Sequence, residues 1–397
     1  MGNLYPPHHF GGYEIVWQSA VEHLRARGHD VRVLTTDTRT EAPDAEEEED
    51  VRRELRWTLR DGRFEPLGLC GSLDLARHNH KTLVRHLDEF RPQVVSWWAM
   101  GGLTLGLLDT VRRRSLPAVA FVHAEWLDWG RWADPWIHSF RGRRSLLVPV
   151  VEAMFRIPVE PKYAKAARYV FVSEHTRQHA LSLGLGLGDT GVAHSGIHAD
   201  FLDPAPEAPW RWHLLYVGRL DPNKGVDTAV AAMRHLPARA RLELIGGWDS
   251  AEEARLRRLA SEAGVSERVH FAGQCGRAEI VEAYGDADAV VFPVRWEEPW
   301  GLVPLEAMGR GRPVVATGRG GSAEYLRDEH NCLLFEADDA EALAAALGRL
   351  EGNDALRAQL RRGGLETAPK YTDEVFNEAV EAELTRAAGP ALAAPVA

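Results

Sequence analysis

The stretch that decides the fold runs from residue 289 to residue 309 and reads Ala-Val-Val-Phe-Pro-Val-Arg-Trp-Glu-Glu-Pro-Trp-Gly-Leu-Val-Pro-Leu-Glu-Ala-Met-Gly. Its apolar start, Ala289–Pro293, predicts a buried strand, which is followed by a loop rich in tryptophan and glutamate. Gly301 and Pro304 then help to open a helix that carries Glu306. Strand, loop and helix in this order are typical of one repeat of a parallel α/β sheet.

The same alternation of short apolar strands and helices extends in both directions along the chain. Further strands are predicted at Val31–Thr36, Val94–Trp98, Ala118–His123, Tyr169–Ser173, His213–Val217, Arg241–Ile245, Arg268–Phe271, Pro313–Thr317 and Cys332–Phe335. The segment Asp203–Pro209 holds three prolines and predicts a linker between two series of strands. We therefore expect two parallel-sheet domains, residues 1–202 and 203–371, and an amphipathic helix with a tail at 372–397.

Composition narrows the class of protein. The 397 residues include 58 acidic and 47 basic side chains, and this formal net charge of −11 argues against a nucleic-acid coat protein and against a wholly basic membrane-surface protein. Three widely spaced cysteines without metal-ligand spacing are typical of reduced thiols in a cytoplasmic enzyme. No apolar run reaches the roughly 20 residues that a membrane-spanning helix needs.

Charged residues follow two of the predicted strands. Arg219 and Lys224 lie in the turn after His213–Val217, at the end of the sheet where parallel α/β folds bind ligands. A guanidinium and an ammonium together can neutralise a diphosphate, although a surface turn with two basic residues is the alternative. Glu298 and Glu306 offer carboxylates, which accept strong hydrogen bonds from sugar hydroxyls. The alternative for this pair is two solvated glutamates beside a buried helix.

Two glycine-rich loops precede predicted helices. They are Gly318-Arg-Gly-Gly-Ser322, with Gly320, Gly321 and Ser322, and Pro6-Pro-His-His-Phe-Gly-Gly12, with Gly11 and Gly12. Closely spaced glycines before a helix leave free N–H groups that can bind a phosphate.

The pair of glutamates, with seven residues between them in the setting Glu298-Pro-Trp-Gly and Glu306-Ala-Met, resembles the diagnostic motif of glycosyltransferase family four. The resemblance extends from Tyr5 to about Tyr371. It implies the GT-B fold, in which two Rossmann-like domains face each other and a C-terminal helix crosses back to the first domain. It also implies a retaining transfer from a nucleoside-diphosphate sugar to a hydroxyl acceptor, with no metal and no other cofactor.

The resemblance also implies roles for residues. Glu298 would contact the donor sugar near the reacting carbon, and Glu306 would hold the ribose hydroxyls. Arg219 and Lys224 would stabilise the departing nucleoside diphosphate. His123, at the end of a strand in the first domain, matches a histidine near the donor sugar, although a lone histidine there is more often structural. The loop at Gly320 would lie by the donor phosphates or sugar, and Gly11 and Gly12 would face the donor from the opposite domain.

Tryptophans and an apolar segment of the first domain suggest where the acceptor binds. Trp126, Trp129 and Trp132 follow a strand and are expected to line an acceptor pocket, with burial in the core as the alternative. Arg141–Pro161 mixes arginines with large apolar residues and predicts a flap that contacts a lipid or hydrophobic acceptor at a membrane surface. The alternative is an interior helix with a charged start.

Two rival functions remain open at this point. A sugar phosphorylase or a nucleotide-sugar epimerase would use the same fold without a hydroxyl acceptor, and a non-catalytic protein would bind the donor without transfer.

The start of the chain raises a separate expectation. Only Met1 and Gly2 precede the loop that relatives place after their first strand, so we expect that strand to be missing and the native chain to begin upstream.

Overall fold

The computed structural model describes residues 1–40, 50–60, 63–247 and 250–389, so the end of the predicted tail lies outside it. The chain divides into two compact units: unit 1 is Met1–His194 with Phe376–Ala397, and unit 2 is Ser195–Val375. This divide precedes the expected linker because Ile197 pairs with the far end of unit 2. Its N–H donates to the Tyr371 carbonyl at 2.9 Å, and its own carbonyl accepts from the Asp373 N–H at 3.0 Å.

Unit 1 contains eight described strands. They are β1 Val33–Thr36, β2 Val51–Leu55, β3 Leu59–Arg60, β4 Arg63–Phe64, β5 Val95–Trp97, β6 Ala118–Val122, β7 Arg168–Phe171 and β8 Thr190–Val192. Strands β5, β6, β7 and β8 form a parallel sheet in that order, β1 pairs in parallel with β2, and β3 with β4 is a hairpin. The sequence did not predict β8, because its Thr-Gly-Val is an edge strand with no fully buried residue.

The first three residues join the two parallel groups of strands in unit 1. The Gly2 N–H donates to the Leu34 carbonyl at 3.3 Å, and the Asn3 N–H donates to the Ala99 carbonyl at 2.9 Å. The Trp98 N–H in turn donates to the Met1 carbonyl at 2.9 Å. Residues 1–3 therefore lie between β1 and β5, where the sequence analysis expected a strand to be missing.

Helices cover the sheets of unit 1. They are α1 Gly12–Ala26, α2 Leu69–Phe90, α3 Gly106–Arg113, α4 Trp126–Ala133, α5 Pro135–Ser139, α6 Val148–Phe155, α7 Tyr163–Ala166 and α8 Glu174–Ser182. All five residues of β6 are buried, as expected for a central strand with helices on both faces. The described residues contain no helix long and apolar enough to cross a membrane.

Unit 2 is built on one six-stranded parallel sheet. Its strands are β9 His213–Val217, β10 Arg241–Ile245, β11 Val269–Gly273, β12 Ala289–Phe292, β13 Val314–Ala316 and β14 Leu333–Leu334. Its helices are α9 Val226–Ala232, α10 Ser250–Glu262, α11 Arg277–Asp286, α12 Val303–Gly309, α13 Ala340–Gly348 and α14 Asp354–Thr367. The strand order is β11-β10-β9-β12-β13-β14, and every strand lies close to its predicted position.

The last helix, α15 Asp373–Ala388, returns to unit 1 as the resemblance implied. The Asn377 side chain donates to the Ser19 hydroxyl of α1 at 2.9 Å. Arg168 of β7 binds the Glu383 carboxylate through two hydrogen bonds of 2.6 and 3.0 Å. Both contacts join residues more than 200 positions apart, so α15 from Phe376 onward is an integral part of unit 1.

Candidate functional site

The candidate site of unit 2 lies where the strand order of its sheet reverses. From β9 the chain moves outward to β10 and β11, and then returns to the other side of β9 at β12. The loops leaving β9 and β12 therefore diverge, and parallel α/β sheets bind their ligands at this kind of switch point. The two loops are also tied together, because the Arg295 N–H donates to the Asn223 carbonyl at 3.0 Å.

A glycine allows this close approach of the two loops. Gly225 has a φ of 65°, and a Cβ added to it would lie 1.9 Å from the Pro293 carbonyl oxygen. Any other residue would therefore push the turn after β9 away from the end of β12. Gly225 follows Lys224 directly, so its fit fixes where the Lys224 side chain begins.

Lys224 and Glu298, predicted separately from the two loops, are in direct contact. The Lys224 Nζ donates to Glu298 Oε2 at 2.7 Å, and both side chains are largely buried. The indole N–H of Trp296 donates to the same oxygen at 2.6 Å. The Lys224 ammonium also lies 5.0 Å from the centre of a Trp296 ring. One carboxylate oxygen thus accepts two hydrogen bonds, and an ammonium with further N–H donors stands beside it.

Arg219, the second predicted cation, is placed on the same loop but in a different environment. Its guanidinium is half exposed and lies 3.9 Å from the Asp221 carboxylate. The buried Tyr216 hydroxyl donates to the Arg219 carbonyl at 2.7 Å, which fixes the backbone while the side chain remains accessible. Arg219 is therefore available to a ligand at the end of β9.

The glycine-rich segment at residue 320 supports the Glu298 loop. Gly320 has a φ of 65°, and an added Cβ would lie 2.3 Å from the Glu298 carbonyl oxygen. The Gly321 N–H donates to that carbonyl at 2.6 Å, so it is not free for a phosphate, which corrects the sequence-based expectation. The buried Ser322 hydroxyl donates to the Arg319 carbonyl at 2.8 Å, which closes a 3₁₀ turn at Gly320–Glu324.

Glu306 lies in the first turn of α12, as predicted, in a largely apolar setting. The Tyr284 hydroxyl donates to Glu306 Oε2 at 2.7 Å. Burial raises the pKa of the Glu306 carboxyl to about 7, although the Tyr284 hydrogen bond acts in the opposite direction. The hydroxyl of the buried Tyr325 donates to the Gly301 carbonyl, which belongs to the loop between Glu298 and α12. Burial raises the pKa of Tyr325, and the charges of Glu298 and Glu306 raise it further.

The corresponding switch point of unit 1 lies between β1 and β5, at residues 1–3. The loop that follows leads to Gly11 and Gly12 at the start of α1. The buried Glu14 carboxylate accepts hydrogen bonds from the Phe10 and Gly11 N–H groups, each at 3.2 Å. The Gly11 N–H is therefore not free for a phosphate, contrary to the sequence-based expectation. At Gly12 a Cβ would meet no atom within 4 Å, so the space beside the helix start is open.

His123 follows β6 and is held between aromatic rings. Its imidazole stacks on Trp98, with ring centres 5.5 Å apart and an interplanar angle of 18°. Phe376 of α15 contacts it edge-on, also at 5.5 Å. Neither ring nitrogen makes a hydrogen bond of ordinary geometry within the described residues. Burial lowers the pKa of His123 to about 4, so the ring is neutral at pH 7 and offers one donor and one acceptor.

The three tryptophans expected at an acceptor pocket lie in different environments. Trp126 is buried in the same core cluster of unit 1 as Leu105 and Met100, so an acceptor cannot reach its ring, and the expectation for this residue is corrected. Trp129 is partly exposed and packs over Gly101. Trp132 is 68% exposed, and the Arg141 guanidinium lies 3.7 Å from the centre of its ring.

Several residues around the candidate site were not singled out from the sequence. Trp296 lies inside the quoted motif, and its position two residues before Glu298 was the available signal. Tyr284 and Tyr325 lie on elements distant in sequence from the residues that they contact. Glu14, three residues after Gly11, carried a recognisable helix-capping signal.

Two family models match the chain. The model described as Glycosyltransferase Family 4 matches residues 10–201, and the model described as Glycosyl transferases group 1 matches residues 205–367. D-inositol 3-phosphate glycosyltransferase of Xylanimonas cellulosilytica is 32% identical over 303 residues, which cover 68% of this chain and 72% of the relative. The protein of the same name from Acidothermus cellulolyticus is 38% identical over 168 residues, but the match covers 40% of this chain and 37% of the relative.

Solved structures share the fold at lower identity. Sucrose-phosphate synthase from Thermosynechococcus elongatus has a TM-score of 0.73 at 22% identity, over 95% of both chains. WaaG, a glycosyltransferase involved in lipopolysaccharide biosynthesis, has a TM-score of 0.67 at 20% identity, over 96% of this chain and 98% of WaaG. HepE of Anabaena, solved with UDP and glucose, has a TM-score of 0.67 at 19% identity, over 96% and 97% of the two chains. With these matches to sequence and fold, the chain belongs to glycosyltransferase family 4 and is a glycosyltransferase of the GT-B fold.

Proposed function

We propose that the protein is a retaining, metal-independent glycosyltransferase that moves a sugar from a nucleoside-diphosphate sugar to a hydroxyl group of an acceptor. The observation that carries this proposal is the 2.7 Å contact between Lys224 and Glu298 at the switch point of unit 2. It places a cation suited to a diphosphate beside a carboxylate suited to sugar hydroxyls.

Lys224 and Arg219 would act on the leaving group. An ammonium has three N–H donors, and Glu298 uses one of those on Lys224, so two remain for phosphate oxygens. The half-exposed Arg219 guanidinium would bind the diphosphate from the same loop. Fixed positive charge at this place stabilises the negative charge that develops as the sugar–phosphate bond breaks. The two side chains would thus do the work that a divalent metal does in other transferases.

Glu298 would orient the donor sugar. Its Oε2 already accepts from Lys224 and Trp296, which leaves Oε1 to accept from a sugar hydroxyl. The acceptor oxygen would form its bond to the sugar on the face that the diphosphate leaves, which retains the configuration. The proton of the acceptor hydroxyl would pass to the departing phosphate. Glu306 would accept hydrogen bonds from the ribose hydroxyls.

Unit 1 would supply further contacts. We propose that the neutral His123 imidazole hydrogen-bonds the donor sugar and that Trp129 and Trp132 contact the acceptor. HepE is known in complex with UDP and glucose, so UDP-glucose is the first donor to test. The free thiols of the three cysteines support a cytoplasmic location.

The test begins with a thermal-shift screen of UDP, GDP, ADP and dTDP, since a bound nucleotide stabilises the folded state by mass action. Transfer is then measured with the matching sugar donor and soluble hydroxyl acceptors, with and without EDTA. We expect activity to survive EDTA, and we expect Arg219→Ala and Lys224→Ala each to lower turnover on the order of 100-fold. Arg258→Ala, an exposed arginine on α10, is the matched control.

Loss of turnover in EDTA that Mn²⁺ or Mg²⁺ restores would contradict metal independence. Near-normal rates in both cation variants would place the diphosphate elsewhere. Turnover of the donor with phosphate alone, or its epimerisation without an acceptor, would favour the rival enzymes.

A further inference from the structure

The segment Gly142–Phe155 of unit 1 carries an exposed apolar face. It consists of a 3₁₀ turn, Gly142–Leu147, and the helix α6. Four large apolar side chains point to solvent, and we call them the outer face: Leu146, 82% exposed, Leu147, Val150 and Met154, 69% exposed. No residue of α6 is fully buried, so the alternative of an interior helix is wrong.

The opposite side of α6 packs against the rest of unit 1. Val148, Val151 and Phe155 pack against a small cluster that includes Trp136 and Phe140. The carboxylate of Glu152, the acidic residue of α6, points inward as well. It accepts from the Arg113 guanidinium at 2.6 Å and from the Val159 N–H at 2.8 Å. The helix therefore directs its charge toward the protein and its apolar side chains toward solvent, which reverses the usual pattern of a surface helix.

Positive charge flanks the outer face. Arg143 and Arg144 are exposed in the 3₁₀ turn directly before Leu146, and neither pairs with a carboxylate among the described residues. Glu160, the next acidic residue after Glu152, binds Arg131 at 2.7 Å. The whole chain carries a net charge of −11, so this local excess of positive charge stands out.

We propose that the outer face, together with Arg143 and Arg144, docks on the surface of an anionic lipid bilayer. Apolar side chains enter the boundary between headgroups and acyl chains, and arginines bind lipid phosphates. The eight residues of α6 extend only about 12 Å, against roughly 30 Å for a bilayer core, so the helix lies on the membrane. Symmetric pairing of two copies through this face would bring their arginines together, which disfavours self-association.

The experiment is co-sedimentation of the full chain with vesicles of phosphatidylcholine, with and without phosphatidylglycerol, at low and high salt. We expect binding to the anionic vesicles at low salt and weaker binding at high salt. Arg143→Ala with Arg144→Ala should lower the affinity about 30-fold. Leu146→Asn with Met154→Asn should lower it on the order of tenfold or more.

Matched controls lie elsewhere on the surface. Leu181→Asn on α8 and Arg258→Ala on α10 should bind vesicles as the unchanged protein does. Transfer to a soluble acceptor should be retained in the Leu146 and Met154 variant, which shows that it is folded. Absence of binding at low salt would overturn the proposal, as would unchanged binding by both double variants. A dimer in solution that the Leu146 and Met154 substitutions dissociate would assign the face to a second copy instead.

Discussion

At the scale of single residues, the hydrogen bond from Trp296 limits what Glu298 can do. Lys224 alone would allow the carboxylate to rotate, but the second donor on Oε2 fixes its plane and directs Oε1 away from both partners. Trp296 is thus a positioning residue, because it acts on the donor sugar through Glu298. Its ring also lies beside the Lys224 ammonium, so the one indole contacts both Glu298 and Lys224.

We predict that Trp296→Phe lowers kcat about tenfold or more while the donor KM changes little, since the ring remains and the N–H is lost. Steady-state kinetics at saturating acceptor measure both constants. The control is Trp210→Phe, because the buried Trp210 nitrogen has no hydrogen-bond partner within the described residues. A rise in donor KM at constant kcat would show that Trp296 contacts the nucleotide instead.

The raised pKa of Glu306 makes both the folding stability and the binding of the donor depend on pH, and the direction of each change can be stated. Its folded-state pKa of about 7 lies above the ordinary 4.5, so the folded protein keeps a proton that the unfolded chain releases between these values. The stability that Glu306 contributes is present below pH 4.5 and falls as the pH rises through 7. Its ability to accept from ribose hydroxyls rises over the upper part of the same interval, because the ionised carboxylate is the stronger acceptor.

The donor KM of the unchanged protein should therefore fall from about pH 6 to about pH 8. In Glu306→Gln the KM should be higher and independent of pH in this range. As the pH rises, the unchanged protein should lose the stability that the protonated Glu306 contributes, whereas Glu306→Gln should not. The difference between their melting temperatures, measured by thermal unfolding at about pH 6 and about pH 8, should therefore shift in favour of Glu306→Gln at the higher pH. Parallel pH profiles of KM in the two proteins would exclude Glu306 as the titrating group.

The candidate site could be predicted in part because a short motif determines it. Arg219, Lys224 and Glu298 lie in the loops that follow β9 and β12, and Glu306 lies in the helix after the second of these loops, so their approximate placement followed from the order of the elements. The hydrogen bond of the Gly321 N–H could not be predicted, because its acceptor is the Glu298 carbonyl, 23 residues earlier in the chain. The aromatic contact of His123 with Phe376 joins residues about 250 positions apart, and no local pattern encodes such a pairing.

At the scale of elements, strands with a clear apolar run could be predicted from the sequence, whereas β2 and β8 could not. β9, β12 and β13 are continuous apolar runs with helices on both sides of their sheet, and their positions were predicted within a residue or two. β2 reads Val-Arg-Arg-Glu-Leu and is only half-buried, so its apolar signal was too weak. Residues 1–3 were missed as a sheet component because three residues cannot show a periodicity.

The docking of α15 on unit 1 is an element-scale property that can be measured. Glu381 of α15 lies 3.1 Å from the His23 ring and 3.0 Å from the His29 ring. Hydrogen bonds from His29 and His23 lower the pKa of Glu381 despite partial burial, so its contribution to stability is lost as the pH falls through that lowered value.

We predict that Glu381→Gln lowers the melting temperature at neutral pH by roughly 2–4 °C, as the loss of about 1 kcal/mol in a unit of this size would do. Differential scanning calorimetry measures the change. Glu378→Gln, an exposed glutamate on the same helix, should leave the melting temperature unchanged. Equal effects of the two substitutions would mean that the histidine contacts do not hold α15.

At the scale of the whole molecule, each unit places its strand ends and loops around one switch point, but the charged pair belongs to unit 2. We predict that UDP, or whichever nucleotide stabilises the protein, slows amide hydrogen exchange in segments 218–225, 294–301 and 317–325. Hydrogen-exchange mass spectrometry of the full chain measures this effect. Lys224→Ala should abolish the protection. Protection confined to other segments would place the nucleotide site outside the Lys224 and Glu298 loops.

The path of the chain also has a consequence in time. Unit 2 is one continuous segment, whereas unit 1 needs a helix that the ribosome makes after all of unit 2. At about 5–20 residues per second, the synthesis of unit 2 takes roughly ten to forty seconds. During that interval the α1 surface around Ser19 and the aromatic surface at Trp98 and His123 have no α15 to cover them. A nascent chain therefore exposes an unfinished first unit beside a second one that can already fold, and this is the window in which a chaperone would be needed.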